Sequence, residues 1–145
     1  VKIEAMSPAA SDIMMQRIYA FTNYGASSKK RVLEHVRGVA ARAAGDGYVM
    51  RTLAKAEYDN RNFAEAEKAA DAALKIDPQS TEPMMLKGRA ILGRARKAND
   101  PNLAKEARNW FIKANRADKE DPEPLYLYYR SFRDLNQPVP ASALE

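Results

Sequence analysis

Asn62-Phe63-Ala64-Glu65-Ala66-Glu67-Lys68-Ala69-Ala70-Asp71-Ala72-Ala73-Leu74-Lys75-Ile76-Asp77-Pro78 reads as one helix of a stacked helical hairpin. Ala66 and Ala73 stand about two turns apart on one face, and both are small enough to let a neighbouring helix approach closely. Phe63, Leu74 and Ile76 supply apolar contacts, and Asp77-Pro78 stops the helix because proline has no amide hydrogen and clashes with the preceding turn. Upstream, Tyr48-Val49-Met50-Arg51-Thr52-Leu53-Ala54-Lys55-Ala56-Glu57-Tyr58 supplies a companion helix with Met50, Leu53, Ala54 and Ala56 facing inward. Asp59-Asn60-Arg61-Asn62 is the turn between them.

Position by position, this pair resembles the tetratricopeptide repeat. Met50 stands in the place of the family's usual Trp, Leu53-Ala54 in that of its Leu-Gly pair, and Ala56 and Tyr58 form the small and aromatic end of the first helix. Phe63, Ala66, Ala73 and Pro78 match the second-helix signature; Ala70 departs from it, since a large aromatic is commoner there. The pattern recurs in Thr81-Glu82-Pro83-Met84-Met85-Leu86-Lys87-Gly88-Arg89-Ala90 and then Ala107, Trp110, Phe111 and Ala114. Ala66 to Ala107 is 41 positions, against a repeat of about 34. The surplus is about two helical turns, so one added turn per helix keeps every face in register. Lys97-Ala98-Asn99-Asp100-Pro101-Asn102 is the tip of this longer hairpin, with Asp100 capping a helix that opens on Pro101.

The flanks complete the pattern. Ser7-Pro8 starts a helix with Met14, Ile18 and Phe21 on one face, broken at Asn23-Tyr24-Gly25-Ala26. Ser27 or Ser28 caps the next, whose stripe is Val32, Val36, Val39 and Ala43 and whose end is Gly45-Asp46-Gly47. Downstream, Asp118 to Pro124 leads into Leu125-Tyr126-Leu127-Tyr128-Tyr129-Arg130-Ser131-Phe132-Arg133-Asp134-Leu135, then a turn over residues 136–140 and the first turn of a further helix. The expected architecture is all-α: a right-handed superhelix of stacked antiparallel hairpins, a TPR-like solenoid of about seven helices in one domain. Its parts are a degenerate or capping pair over 7–45, a repeat over 47–78, a lengthened repeat over 81–119, and the first helix of an incomplete repeat over 122–136. An unpaired first helix at one end and a non-Met, signal-free start at the other lead to the expectation of a piece cut from a longer chain.

Composition sets limits. The 145 residues, 46% of them hydrophobic, suffice for one domain, and no window is long and apolar enough to span a bilayer, so no membrane partner is expected. Eight prolines at the proposed boundaries disfavour a sheet core. Absence of cysteine removes disulfides and thiol chemistry and is compatible with cytoplasm or periplasm alike. With His35 as the sole histidine, no Gly-x-Ser-x-Gly elbow and no glycine-rich phosphate loop, the expectation is a protein that is not an enzyme and takes no cofactor or metal. His35 reads as a partly exposed helix residue beside the Val32/Val36 stripe. Gly88 and Gly93 read as close packing or local helix weakening.

The repeat family binds other proteins in a concave groove lined by its first helices. Carried over, the resemblance places Tyr48, Arg51, Thr52, Lys55 and Tyr58 on that surface, with Met85, Leu86 and Arg89 from the second repeat and Tyr126, Leu127, Arg130 and Arg133 from the third. The implied groove is basic and tyrosine-containing, suited to a protein or peptide partner, and to an acidic or C-terminal peptide in particular. Leu86 stands where the carboxylate clamp of chaperone-binding members has asparagine, so no chaperone tail is implied.

Three rival readings stand beside it. At a formal charge of +5, basic residues on a solvated face are expected anyway. The clusters Lys29-Lys30-Arg31, Arg89 with Arg94, Arg96 and Lys97, and Arg130 with Arg133 offer contacts for nucleic acid, but interleaved acidic residues break up a phosphate track. Leu125, Tyr128, Tyr129 and Phe132 on the last helix offer a surface for self-association. As a whole, Asn23-Tyr24-Gly25, Tyr48-Val49-Met50 and Tyr128-Tyr129-Arg130-Ser131-Phe132 give the chain a weaker resemblance to the helical C-terminal part of uncharacterised bacterial proteins with a metallopeptidase-like domain ahead of it. That resemblance implies a structural or substrate-recruiting extension of a larger enzyme, with any peptidase chemistry outside this chain.

Overall fold

A computed structural model describes residues 7–14 and 26–144 of the chain, and over these every regular element is helical. The expected positions of Ile18, Phe21 and the Asn23-Tyr24-Gly25 break lie outside the described residues. Ser7 accepts the Ala10 amide on Oγ at 3.1 Å and Pro8 takes the first helical position, opening α1, described over residues 8–14. Then follow α2 (Ala26–Arg42), α3 (Gly47–Asp59), α4 (Phe63–Ile76), α5 (Thr81–Ala98), α6 (Pro101–Ala117), α7 (Glu123–Asp134) and a 3-10 turn, Ala141–Leu144. Seven α-helices are thus present among the described residues.

In α2 the helix takes in Ala26, a strong helix former, so Ser27 and Ser28 fall inside its first turn and neither is the cap expected from the sequence. Val36 and Val39 are buried as expected; Leu33 joins them, while Val32 and Ala43 are half-buried. His35 is half-buried, with Nε2 3.1 Å from the Asp12 carboxylate on α1. At the start of α3 the Asp46 carboxylate accepts the amides of Tyr48 and Val49 at 3.0 and 3.3 Å, and its other oxygen takes the Ser7 hydroxyl at 2.6 Å. One side chain therefore caps α3 and holds the start of α1.

The α3–α4 hairpin closes as the sequence predicts. Tyr58 and Phe63 face each other across the turn with ring centroids 5.7 Å apart, and at the open end Ile76 lies against Gly47, so the helices run antiparallel throughout. Ala54, Ala66, Ala70 and Ala73 fill the seam with almost no exposure, which small side chains alone permit at that approach. Ile76, expected as a core contact, is 44% exposed because it is the last residue of α4 and covers only the edge of the pair.

The second hairpin is longer. α5 and α6 have 18 and 17 residues against 13 and 14 in α3 and α4, the added length falling in both helices as the register required. At its tip the Asp100 carboxylate accepts the Asn102 and Leu103 amides at 2.9 and 3.4 Å ahead of Pro101. Both α5 glycines mark close packing. A Cβ on Gly88 would lie 2.5 Å from the fully buried Phe111 ring and 3.0 Å from the Ala107 carbonyl; one on Gly93 would lie 2.7 Å from the Phe63 ring. Helix α5 packs against α4 and α6 and also touches α3. Its buried sector is correspondingly wide, including Met84, Met85, Leu86, Ile91 and Leu92.

Two polar networks tie the ends in. Glu57, 4% exposed, receives two prongs of Arg37 from α2, at 2.7 and 3.2 Å, and the Asn62 side-chain amide at 3.0 Å. That hydrogen-bonded carboxylate raises the pKa of the Arg37 guanidinium. On α6, Arg108 donates to the Ser131 hydroxyl at 2.8 Å and the Gln137 side chain at 2.6 Å, with its guanidinium 3.7 Å from the Phe132 ring centroid. Burial lowers the Arg108 pKa, since the acceptors around it are neutral.

Candidate functional site

The α3–α4 turn is a Schellman motif: the Asn62 amide reaches the Glu57 carbonyl and the Arg61 amide reaches that of Tyr58, both at 2.9 Å. Such a motif needs a left-handed residue, and here it is Arg61, at φ 62°. Asn99 and Asn136 occupy the equivalent positions after α5 and α7, at φ 52° and 53°. Glycine adopts that conformation freely and asparagine tolerates it, whereas arginine adopts it only at a steric cost. The turn thus holds a cationic side chain where backbone preference disfavours one.

Beside this turn lies a cleft of about 780 Å³. Tyr58 from α3, Arg89 from α5 and Arg130 from α7 line it, joined by Lys29 of α2, Arg61, and Arg96 and Lys97 near the end of α5. Phe63, Leu92 and Gly93 provide apolar lining, the absence of a Gly93 side chain leaving room for the Phe63 ring. Asn60 holds Lys29 to the turn, its side-chain amide donating to the Lys29 carbonyl at 3.1 Å. Arg89 lies over Tyr58, 4.6 Å from the ring centroid, linking α5 to α3 within the cleft wall.

Electrostatically the cleft is one-sided. Six cations line it against two carboxylates, Asp59 and Asp134. Each carboxylate already has a partner outside or at the edge: Lys55 lies 2.5 Å from Asp59 and Arg130 3.4 Å from Asp134. Among the described residues, Lys29, Arg61, Arg89, Arg96 and Lys97 pair with no carboxylate. By contrast Arg94, grouped with Arg96 and Lys97 in the sequence, is bonded to Glu67 across the α4–α5 seam.

Of the twelve groove residues expected from the repeat resemblance, the cleft brings together Tyr58, Arg89, Leu127 and Arg130. Tyr48, Arg51 and Lys55 lie on α3 outside its lining, half-buried, with Arg51 5.8 Å from the Tyr48 ring centroid. Tyr126 and Arg133 are exposed on α7, also outside the lining. Met85 offers no groove surface: it is buried with Met84, Phe111 and Leu127. Thr52 and Leu86 are likewise buried, and Leu127 only meets the cleft from within the core. On α7 the exposed apolar residues are Leu125, Tyr126 and Tyr129; Phe132, expected among them, is buried beneath Arg108.

Sequence reasoning missed Lys29, Arg61, Arg96 and Lys97 as parts of one site. Lys29, Arg96 and Lys97 were legible as charge, but only the turn geometry places them beside Arg61. No cluster of His, Asp and Glu suited to a metal ion occurs among the described residues, and none of their helices is long and apolar enough to cross a membrane. No protein-family model matches the chain, and no curated protein matches it either.

Proposed function

We propose that this chain is a non-catalytic protein-interaction module, a TPR-like right-handed stack of helical hairpins that receives a segment of a partner protein in the cleft bordered by α3, α5 and α7. One observation carries the reading: Tyr58, Arg89 and Arg130, one each from α3, α5 and α7, line a common cleft with an apolar floor. A concavity built from equivalent helices is the surface such stacks use for partners. The test compares capture of binding proteins by wild type and by Arg89→Glu at constant salt, with helicity followed by circular dichroism. Partners held by wild type and lost by the variant support the cleft; partners held equally by both, or by neither, remove it as the site.

Self-association through α7 is the second reading, favoured by the exposure of Leu125, Tyr126 and Tyr129 on one helix. Sedimentation of wild type and Tyr126→Ser over a range of concentrations tests it: a mass that rises with concentration only in wild type supports pairing, and a constant monomer mass excludes it.

A further inference from the structure

We propose that the turn end of the cleft, formed by Lys29, Arg61, Arg96 and Lys97, recognises an acidic segment of the partner protein, with an apolar side chain of that segment seated against Leu92 and Phe63. The inference rests on the cleft reading above and names the chemistry of its ligand.

Charge complementarity identifies the occupant. The four cations come from three separate places in the chain, α2, the α3–α4 turn and the last turn of α5, yet line one cleft. None is neutralised by a carboxylate of the described chain, whereas Lys55, Arg94, Lys87 and Arg37 elsewhere on the molecule each have one. Exposed cations in such a concavity lose little by meeting carboxylates and repel one another until they do. An approaching arginine or lysine has no free carboxylate to meet, because Asp59 and Asp134 are already paired.

Arg61 supplies a second, independent argument. At the equivalent left-handed positions this same chain uses asparagine twice. A residue held in a disfavoured conformation points to a function for its side chain, and Arg61 lines the cleft.

A peptide fits better than a nucleic acid. The lining includes a half-buried Phe63 and the nearly buried Leu92, which suit one apolar anchor; the exposed tyrosines of α7, Tyr126 and Tyr129, stand outside it, and Tyr58 in its wall lies half-buried under Arg89, so no run of exposed stacking rings is present in the cleft. Asp59 and Asp134 at the lining also interrupt a track for successive phosphates.

The experiment selects ligands for the wild-type chain from a random phage-displayed peptide library, then measures the selected peptides by fluorescence anisotropy at fixed ionic strength. Expected are peptides enriched in Asp and Glu next to a Leu, Ile or Phe, losing at least about tenfold in affinity against Arg61→Asn combined with Lys97→Gln. Asparagine suits the left-handed turn, so this variant keeps its fold, with thermal stability equal to or above wild type. Peptides that compete for the cleft by the Arg89→Glu criterion but show no acidic enrichment overturn the inference and leave the cleft reading intact. Peptides indifferent to Arg89→Glu overturn both. A single-stranded oligonucleotide that binds more tightly than the selected peptides, and is lost in the same Arg61→Asn, Lys97→Gln variant, assigns the cluster to phosphate and overturns the inference.

Discussion

Asn62 meets Glu57 twice, its amide on the Glu57 carbonyl at 2.9 Å and its side chain on the Glu57 carboxylate at 3.0 Å, so one residue pair closes the α3–α4 turn and anchors a buried acid. Arg37 completes the carboxylate's shell from α2. Truncating Arg37 to alanine leaves Glu57 with Asn62 alone. A fully buried broken pair costs about 3–5 kcal/mol; the Arg37 side chain is 51% exposed, and water replaces part of what is lost, so the expected cost is about 1–2 kcal/mol. Because the folded state raises the arginine pKa, its contribution is fully present below the unfolded arginine's range and is lost only as pH rises through the folded value, in strong alkali. Urea melts of Arg37→Ala between mildly acidic and mildly alkaline pH should therefore show a stability deficit with no added pH slope from this arginine.

The two glycines of α5 should respond unequally to alanine. Alanine gains about 1 kcal/mol of helix propensity over glycine at either site. At Gly88 the added carbon meets the immobile Phe111 ring and the Ala107 backbone carbonyl, an overpacking that costs about 1–3 kcal/mol. At Gly93 it meets only the half-buried Phe63 ring, which has room to swing toward the cleft. With the propensity gain set against the overpacking, Gly88→Ala should lower stability by up to about 2 kcal/mol, while Gly93→Ala should fall within about 1 kcal/mol of wild type. Denaturant midpoints order the two; a Gly93 variant less stable than the Gly88 variant would show that Phe63 is the more tightly held ring.

What the sequence disclosed and what it hid divide along physical lines. Local signals held: Asp100-Pro101 at the long tip, Ser7-Pro8 at the start of α1, and the alanines of the α3–α4 seam depend on neighbours in sequence or on helical spacing. The groove register failed at Met85 and Leu86 because α5 is clasped by α3, α4 and α6, which widens its buried sector beyond the single face that periodicity assumes. Arg61 was visible only as a turn residue. Its left-handed φ, its neighbours Lys29 and Arg96, and the pairing of Asp59 and Asp134 are tertiary facts with no imprint on local pattern.

Arg108 fastens α7 to α6, and its loss should loosen α7 before the other helices. The guanidinium satisfies the fully buried Ser131 and covers Phe132, and Ser131 in turn donates to the Tyr128 carbonyl at 2.5 Å. Arg108→Ala removes the guanidinium's hydrogen bonds to Ser131 and Gln137 and the stacking, about 2–3 kcal/mol together. Because α7 is among the last elements, the loss falls on local opening first. Hydrogen exchange should accelerate in Leu127 to Phe132 while the amides of α3 and α4 keep wild-type protection. Uniform acceleration through all helices would instead make the described helices one cooperative unit.

The two capping aspartates separate a local role from a bridging one. Asp100 caps α6 alone, accepting two amides at the exposed hairpin tip, so Asp100→Ala should cost about 1 kcal/mol. Asp46 caps α3 in the same manner and also binds the Ser7 hydroxyl, whose own oxygen accepts the Ala10 amide of α1. Asp46→Asn keeps the cap and weakens the charge-assisted bond to Ser7; Asp46→Ala removes both and should cost about 2 kcal/mol. If bridging matters, Ser7→Ala should cost about 1 kcal/mol alone and clearly less in an Asp46→Ala background, the non-additivity expected of residues in one network. Strict additivity in thermal melts of the two single variants and the double variant would reduce Asp46 to a cap like Asp100.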